Sequence, residues 1–363
     1  MHLRPVLFIL AALSAGSATA GTPAPHYHLA PITIPGANGV YVADINEAGQ
    51  AVGYYVDADF ANQAFLFDGQ QVITLARPAG RDEAMATAIN DLGQIVGYAT
   101  TITDDGAQTT ALLWDAAQPD SYVVIGDDQA NKLDPADINN AGVVVGLASQ
   151  DGAFRAFSWS AAGGLVDDGV PPNGPDTQAY WSAINDAGTI VGGWNAIFAA
   201  SHATTGTFGM PGILPIAAGV DDVASMAHGI DEGGTAVGEM DIASDGHAVP
   251  VVFQGGIATE IPGALLGLST GAAYGINAAG TIVGRAQDFA TLSFKAFVYA
   301  DGVAYDLLAQ CDDDAGFPYL LKAAAINDHG VIVGVGRVGD FEVGSFIATP
   351  IGDDSIFDDG FDG

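Results

Sequence analysis

The sequence predicts an all-β chain: a seven-bladed β-propeller of four-stranded antiparallel blades, closed by pairing of its N- and C-terminal strands. Three observations predict it. A nine-residue phrase, Ile-Asn-x-x-Gly-x-x-Val-Gly, occurs seven times, with Asp231 replacing the Asn once. Successive copies lie 44 to 50 residues apart, a period that marks propellers and solenoids. The last copy lacks a fourth strand-like segment, and a segment able to supply one lies near the other end of the chain.

The copies begin at Ile45, Ile89, Ile138, Ile184, Ile230, Ile276 and Ile326. The Asn opens a type I turn, where a side-chain acceptor helps at the first position. The Gly four residues after the Ile takes a left-handed conformation that a Cβ disfavours. Together they make a tight hairpin with a bulge at its Gly. Short apolar runs flank it, such as "ATAI" before and "QIVGYA" after.

Ten or more residues further on a second phrase recurs: "AFLFDG" (64–69), "ALLWD" (111–115), "AFSWS" (156–160) and "AFVYADG" (296–302). Weaker copies are 202–212 and 247–256. A last short run follows, as in "QQVITL", so each unit holds four strands. Runs such as "VVVG" and "ALLW" are apolar on both sides of the pleat, as strands buried on both faces are. Helical periodicity is missing over any comparable length. In the seventh unit "HYHLAPITIP" (26–35) is placed beside 344–350, which leaves no long sheet edge. An open array or β-helix is the alternative.

The paired phrases resemble those of the bacterial extracellular HAF-repeat proteins, named for a His-Ala-Phe tripeptide. The resemblance covers residues 40 to 349. No copy carries the whole tripeptide: His202-Ala203 and His247-Ala248 lack the Phe, while Ala64-Phe65, Ala156-Phe157 and Ala296-Phe297 lack the His. The resemblance implies export and repetition, and no particular activity.

Asp and Glu number 43 against 9 Lys and Arg, a net charge of -34. Such a surface repels phosphate backbones and anionic lipids, which argues against nucleic acid as a partner. Most of the acids are Asp, a turn residue. Residues 1–20 read as a secretory signal: Arg4, an apolar run from Val6 to Leu13, then "ATA" at 18–20. No later run reaches the ~18 apolar residues of a spanning helix. The propeller is assigned to 21–350 and the acidic-aromatic tail to 351–363. One cysteine, Cys311, excludes an internal disulfide. The chain is read as an extracellular monomer.

Variable loops on a rigid scaffold carry recognition. The Asn-x-x-Gly turns repeat, whereas the second-to-third loops and blade-to-blade connections vary. The functional face is therefore placed at the variable-loop end. Its aromatic candidates are Tyr180, Trp181, Trp194, Phe317 and Tyr319, with Asp221 and Asp222 as acids beside them. Rings beside carboxylates suit sugar faces or cationic groups. Calcium is the candidate ion, with Asp57, Asp59, Asp104, Asp105, Asp312, Asp313 and Asp314 as candidate ligands. No other cofactor is expected. "GLSTG" (267–271) and "GVGRVG" (334–339) fit catalytic and phosphate-loop patterns but lead into strands, so neither is assigned a role. His228, Asp44 and Asp137 are placed near a central channel. The expectation is a non-catalytic module binding an extracellular carbohydrate, peptide or protein. The alternatives are a hydrolase or lyase with carboxylates at the loop face, and a structural spacer of the cell envelope.

Overall fold

The computed structural model describes residues 24–103, 106–126, 132–150, 153–169, 177–196, 200–218, 223–243, 246–288, 290–339 and 342–352. The predicted signal and nearly all of the acidic tail lie outside them. Seven four-stranded antiparallel sheets form seven blades. Blade 1 comprises Gly39–Ile45, Ala51–Val56, Asn62–Phe67 and Val72–Thr74, from the axis outward. The inner strands of blades 2 to 7 are Glu83–Ile89, Lys132–Ile138, Thr177–Ile184, Ser225–Ile230, Thr270–Ile276 and Tyr319–Ile326. Each touches its counterparts on both sides, blade 7 against blade 1 included, so the ring is closed. The open-array alternative does not hold.

Closure is as predicted. Blade 7 takes three strands from the C-terminal end, and Tyr27–Ile32 is its outermost fourth. It runs antiparallel to Glu342–Pro350, from Ile32 opposite Ser345 to Tyr27 opposite Pro350. Ser345 stands where most copies have Ala. Its hydroxyl donates to Val40 O (2.9 Å) and accepts from Val42 N (2.7 Å), fastening blade 7 to blade 1.

The repeated phrases have two jobs beyond the hairpin. Every inner strand carries a bulge two residues before the repeat Ile, at Ala43, Thr87, Ala136, Ser182, His228, Tyr274 and Ala324. The Gly of Val-Gly lies opposite that bulge. A Cβ there would overlap an inner-strand carbonyl in every blade. The Phe of the second phrase pairs with this Gly: Phe65 with Gly53, Phe157 with Gly146, Phe297 with Gly284, Phe346 with Gly334. All four rings are fully buried. The two phrases recur together because they form one packing unit.

Buried side chains gather into seven clusters, and each straddles one seam between neighbouring blades. Ala51 joins one seam and Val52 the next. That alternation explains why the second strands are apolar on both faces.

The repeat Asn works in both directions. Its Oδ1 accepts within its own turn, as from Gln50 N to Asn46 (2.9 Å). Its Nδ2 donates to the backbone carbonyl of the next blade's Asn. Asn46 reaches Asn90 O, Asn90 reaches Asn139 O, Asn139 reaches Asn185 O, and Asn327 returns to Asn46 O, at 2.9–3.1 Å. Asn185 and Asn277 do the same toward Asp231 and Asn327. The following residue adds a second circuit. Backbone N–H groups of Glu47, Asp91, Asn140, Asp186, Ala278 and Asp328 each donate to the side chain one blade on.

Both circuits break between blades 5 and 6. The Asp231 carboxylate has no N–H to give, and Ala278 has no acceptor. A groove of about 650 Å3 opens at this seam, lined by Asp231, Ile257, Ala278 and Tyr299 among others. Asp231→Asn is expected to supply the missing donor to Asn277 O and to stabilise the fold by about 1 kcal/mol. Thermal melting checks it; an unchanged or lowered Tm would contradict the circuit.

Candidate functional site

Inner strands enter from the variable-loop end and run toward the Asn turns. The bulge therefore sets two rungs of side chains along the axis. The nearer rung to the turns is formed by the bulge residues themselves. A cavity of about 220 Å3 lies there, lined by Ala43, Thr87, Ala136, Ser182, His228, Tyr274 and Ala324, one from each blade, with Asp44 and Asp137. The other rung lies four residues before the repeat Ile: Tyr41, Met85, Asp134, Tyr180, Met226, Ala272 and Lys322. Their second-strand partners include Tyr54, Tyr98, Glu239 and Arg285.

This loop-end rung is aromatic and charged. Tyr41 stacks on Tyr54, with ring centres 4.9 Å apart and planes 13° apart. Tyr98 approaches the Met85 sulfur at 3.8 Å. Burial, with the Asp134 carboxylate nearby, pushes the Tyr98 hydroxyl up to about 12. Burial also raises Tyr54, Tyr180 and Tyr274. These hydroxyls remain protonated at neutral pH. Lys322 Nζ sits 3.8 Å above the Tyr274 ring, and Arg285 approaches the same ring at 5.9 Å. Burial, then the Arg285 charge, lowers Lys322 to about 8. His228 leans on Tyr274 at 5.0 Å, with its Nε2 3.9 Å from Glu239.

Asp44 and Asp137 are interblade clamps. Asp44 accepts from Ile45 N (2.8 Å) and from Ile89 N of the next blade (2.9 Å). Asp137 accepts from Ile138 N (2.7 Å) and Ile184 N (2.8 Å). Burial outweighs these donors. It raises Asp44 to about 7, with Asp137 adding to it, and Asp137 to about 6, with Asp186 and Glu232 adding. Both values lie above the ordinary carboxylate value near 4. Between about pH 4 and 7 the folded chain then binds more protons than the unfolded chain, and stability falls as pH rises. Tm is expected to drop from pH 5 to pH 8. The Asp44→Asn/Asp137→Asn double variant is expected to flatten that slope; equal slopes would contradict the assignment.

The candidate residues do not converge. Trp181 is 3% exposed and its indole N–H donates to Asp168 Oδ2 (2.8 Å), so it is part of the seam between blades 3 and 4. Phe317 is 1% exposed and packs edge-on against Phe346. Both are corrections: the blade core needs these rings, and neither presents a face to a ligand. Trp194 is partly buried against His202 (4.9 Å). Tyr319 is 44% exposed, in a groove with Leu292, Lys295 and Leu308. Tyr180 belongs to the channel rung.

The acids serve their own loops. Asp57 accepts from Ala61 N (3.0 Å), Asp59 N (2.9 Å) and Gln63 Nε2 (2.8 Å), and the Ala61 N–H bond leads in holding its carboxyl low. Asp312 pairs with His28 Nδ1 (2.7 Å), which holds it low, and also accepts from Leu29 N and Asp313 N. Asp313 and Asp314 cap Ala315 N and Gly316 N. Among the described residues no group of three His, Cys, Asp or Glu is arranged around a metal. Asp104, Asp105, Asp221 and Asp222 lie outside the described residues.

The discounted motifs are structural. Ser269 donates to Gln287 O (3.3 Å), a bond within its own blade. Gly334 and Gly336 lie under Phe346 and Phe317. The Cys311 thiol reaches Leu307 O, and burial pushes it up to about 12, far from a thiolate.

No protein-family model matches the sequence, and no curated protein is similar to it. Solved structures do match in fold. The β-propeller domain of the Trilobed protease from Pyrococcus furiosus aligns with a TM-score of 0.53 at 10% identity, over 85% of this chain and 97% of that one. That propeller is described as having an open velcro topology; here the N-terminal strand completes blade 7. Prolyl endopeptidases align with a TM-score of 0.55 at 10% identity, over 90% of this chain and 50% of theirs. A puromycin-hydrolysing peptidase of Mycobacterium tuberculosis aligns at 0.50 and 11% identity, over 90% of this chain and 56% of that one. The chain thus spans about half the length of these peptidases. At such identities the likeness is one of fold: this chain is a seven-bladed β-propeller.

Proposed function

We propose that the chain is an exported recognition module of HAF-repeat type, holding an extracellular ligand at the loop-end mouth of its axial channel without catalysing a reaction. One observation carries this reading. The loop-end rung presents Tyr41, Tyr54, Tyr98 and Tyr180 as partly buried rings beside fixed charges. Such an apolar wall with a few polar groups is the usual make-up of a small-ligand site, and tyrosine faces suit sugars. The signal-like 1–20 segment supports export. Calcium is kept as the candidate ion of the loop-end carboxylates Asp57, Asp59, Asp104, Asp105, Asp312, Asp313 and Asp314.

The likeness to peptidases favours a second reading, in which the propeller serves hydrolysis. Against it, Ser158, which donates to Asp168 Oδ1 (3.1 Å), is buried within its blade, and Ser269 is tied to its own blade. A glycan array probed with the purified chain, with a calcium titration followed by thermal shift, separates the two. The expected result is a saccharide hit that is lost in Tyr41→Ala/Tyr180→Ala. Silence on the array and in the titration, with hydrolysis of a peptide substrate, would reverse the assignment.

A further inference from the structure

Two cations of the outer strands are paired with acids. Arg155 pairs with Asp167, and Lys295 with Asp306 at 3.2 Å. Lys322 and Arg285, on neighbouring blades, share the Tyr274 ring instead. Neither makes a hydrogen bond or an ion pair among the described residues, and Arg285 Nε is buried without an acceptor. His228, against the same ring, has a buried Nε2 with no hydrogen bond, its nearest acid being Glu239 at 3.9 Å. Burying a cation is costly unless it is paired. With 43 acids in the chain, an internal partner would have been easy to supply. His228 and Tyr274 of this cluster line the axial cavity, and its two unpaired cations are complementary to an anion from outside.

We propose that the channel mouth takes a small hydroxylated monocarboxylate, such as a sugar acid, with its carboxylate received by Lys322 and Arg285 beside Tyr274. The inference rests on the recognition reading and names its ligand class. Arg offers a planar fork of donors and Lys three more, matching one carboxylate. Across the ring, on blade 3, the same rung carries Asp134, a carboxylate that suits ligand hydroxyls and disfavours a second negative charge such as that of phosphate. One rung deeper, the axial cavity that Tyr274 and His228 also line is about 220 Å3, below the ~300–1,000 Å3 of sites for drug-sized ligands, so only a small unit fits along the axis.

The sequence has three lysines, Lys132, Lys295 and Lys322, so side-chain NMR of lysine-labelled protein reads the site directly. Galacturonate is expected to shift the Lys322 signal saturably and leave Lys295 in place. Galactose and inorganic phosphate are expected to leave Lys322 unmoved. Arg285→Gln is expected to weaken galacturonate about tenfold. A Lys322 signal indifferent to galacturonate overturns the anion site. So does an equal response to galactose, although a neutral sugar bound there would leave the recognition reading standing. Phosphate binding more tightly than galacturonate overturns the carboxylate assignment.

Discussion

Gly284→Ala is expected to destabilise the fold by about 4 kcal/mol or more, in the range reserved for severe core damage. The added Cβ would overlap the Ala272 carbonyl and stand 2.6 Å from the Phe297 ring. Neither can yield cheaply. The carbonyl belongs to the bulged inner strand, and the ring fills the blade core. Gly280→Ala, four residues earlier, is the comparison. That Gly has φ +77° with nothing within 4 Å of its Cβ position. Its cost is that of a left-handed alanine, about 1–2 kcal/mol. Urea denaturation of both variants measures the difference. Equal losses would mean that the Val-Gly glycine is only a conformational requirement and that its pairing with the bulge is incidental.

Removing Tyr27–Ile32 is expected to cost as much as the whole stability of an ordinary domain. Tyr27, Leu29 and Ile32 are all buried, in the seams on either side of blade 7. At about 1.5–3 kcal/mol each, their loss amounts to roughly 5–9 kcal/mol, against typical total stabilities of about 5–15 kcal/mol. It also bares the edge of Glu342–Pro350 for pairing with another chain. The truncated protein is expected to aggregate or melt near room temperature. A peptide covering residues 24–36 is expected to raise its Tm with the logarithm of peptide concentration above saturation. A truncated chain that melts with the full one would show that the ring holds without this strand.

The architecture was legible because its determinants are local and repeated. A left-handed Gly, a turn-opening Asn and an apolar run recur at blade length, and closure follows from one missing strand and one spare. The long-range half of the same phrase was not legible. Nothing in "IND" says that the Asn amide crosses to the next blade, since the distance it spans exists only after the ring forms. Nor does "IVG" reveal that its Gly faces a bulge in another strand.

The channel was hidden for a related reason. Attention to the variable loops favoured Trp181 and Phe317, large rings near loop ends that the seams in fact consume. The informative position lies inside the repeat, four residues before the Ile. There the copies read Tyr41, Met85, Asp134, Tyr180, Met226, Ala272 and Lys322, with a ring or a charge in four of the seven. A charge or a polar-tipped ring inside a repeated inner strand suits a place on the axis better than a seam between blades. Asp44 and Asp137 were correctly placed near the channel, but their grip on the next blade required the fold.

Hydrogen exchange of the intact chain tests the ring most directly. The amides of Tyr27–Ile32 are expected to be as protected as those of Glu342–Pro350, exchanging only with global unfolding. Exchange of 27–32 within seconds, with 342–350 still protected, would mean that the N-terminal arm is not the fourth strand of blade 7.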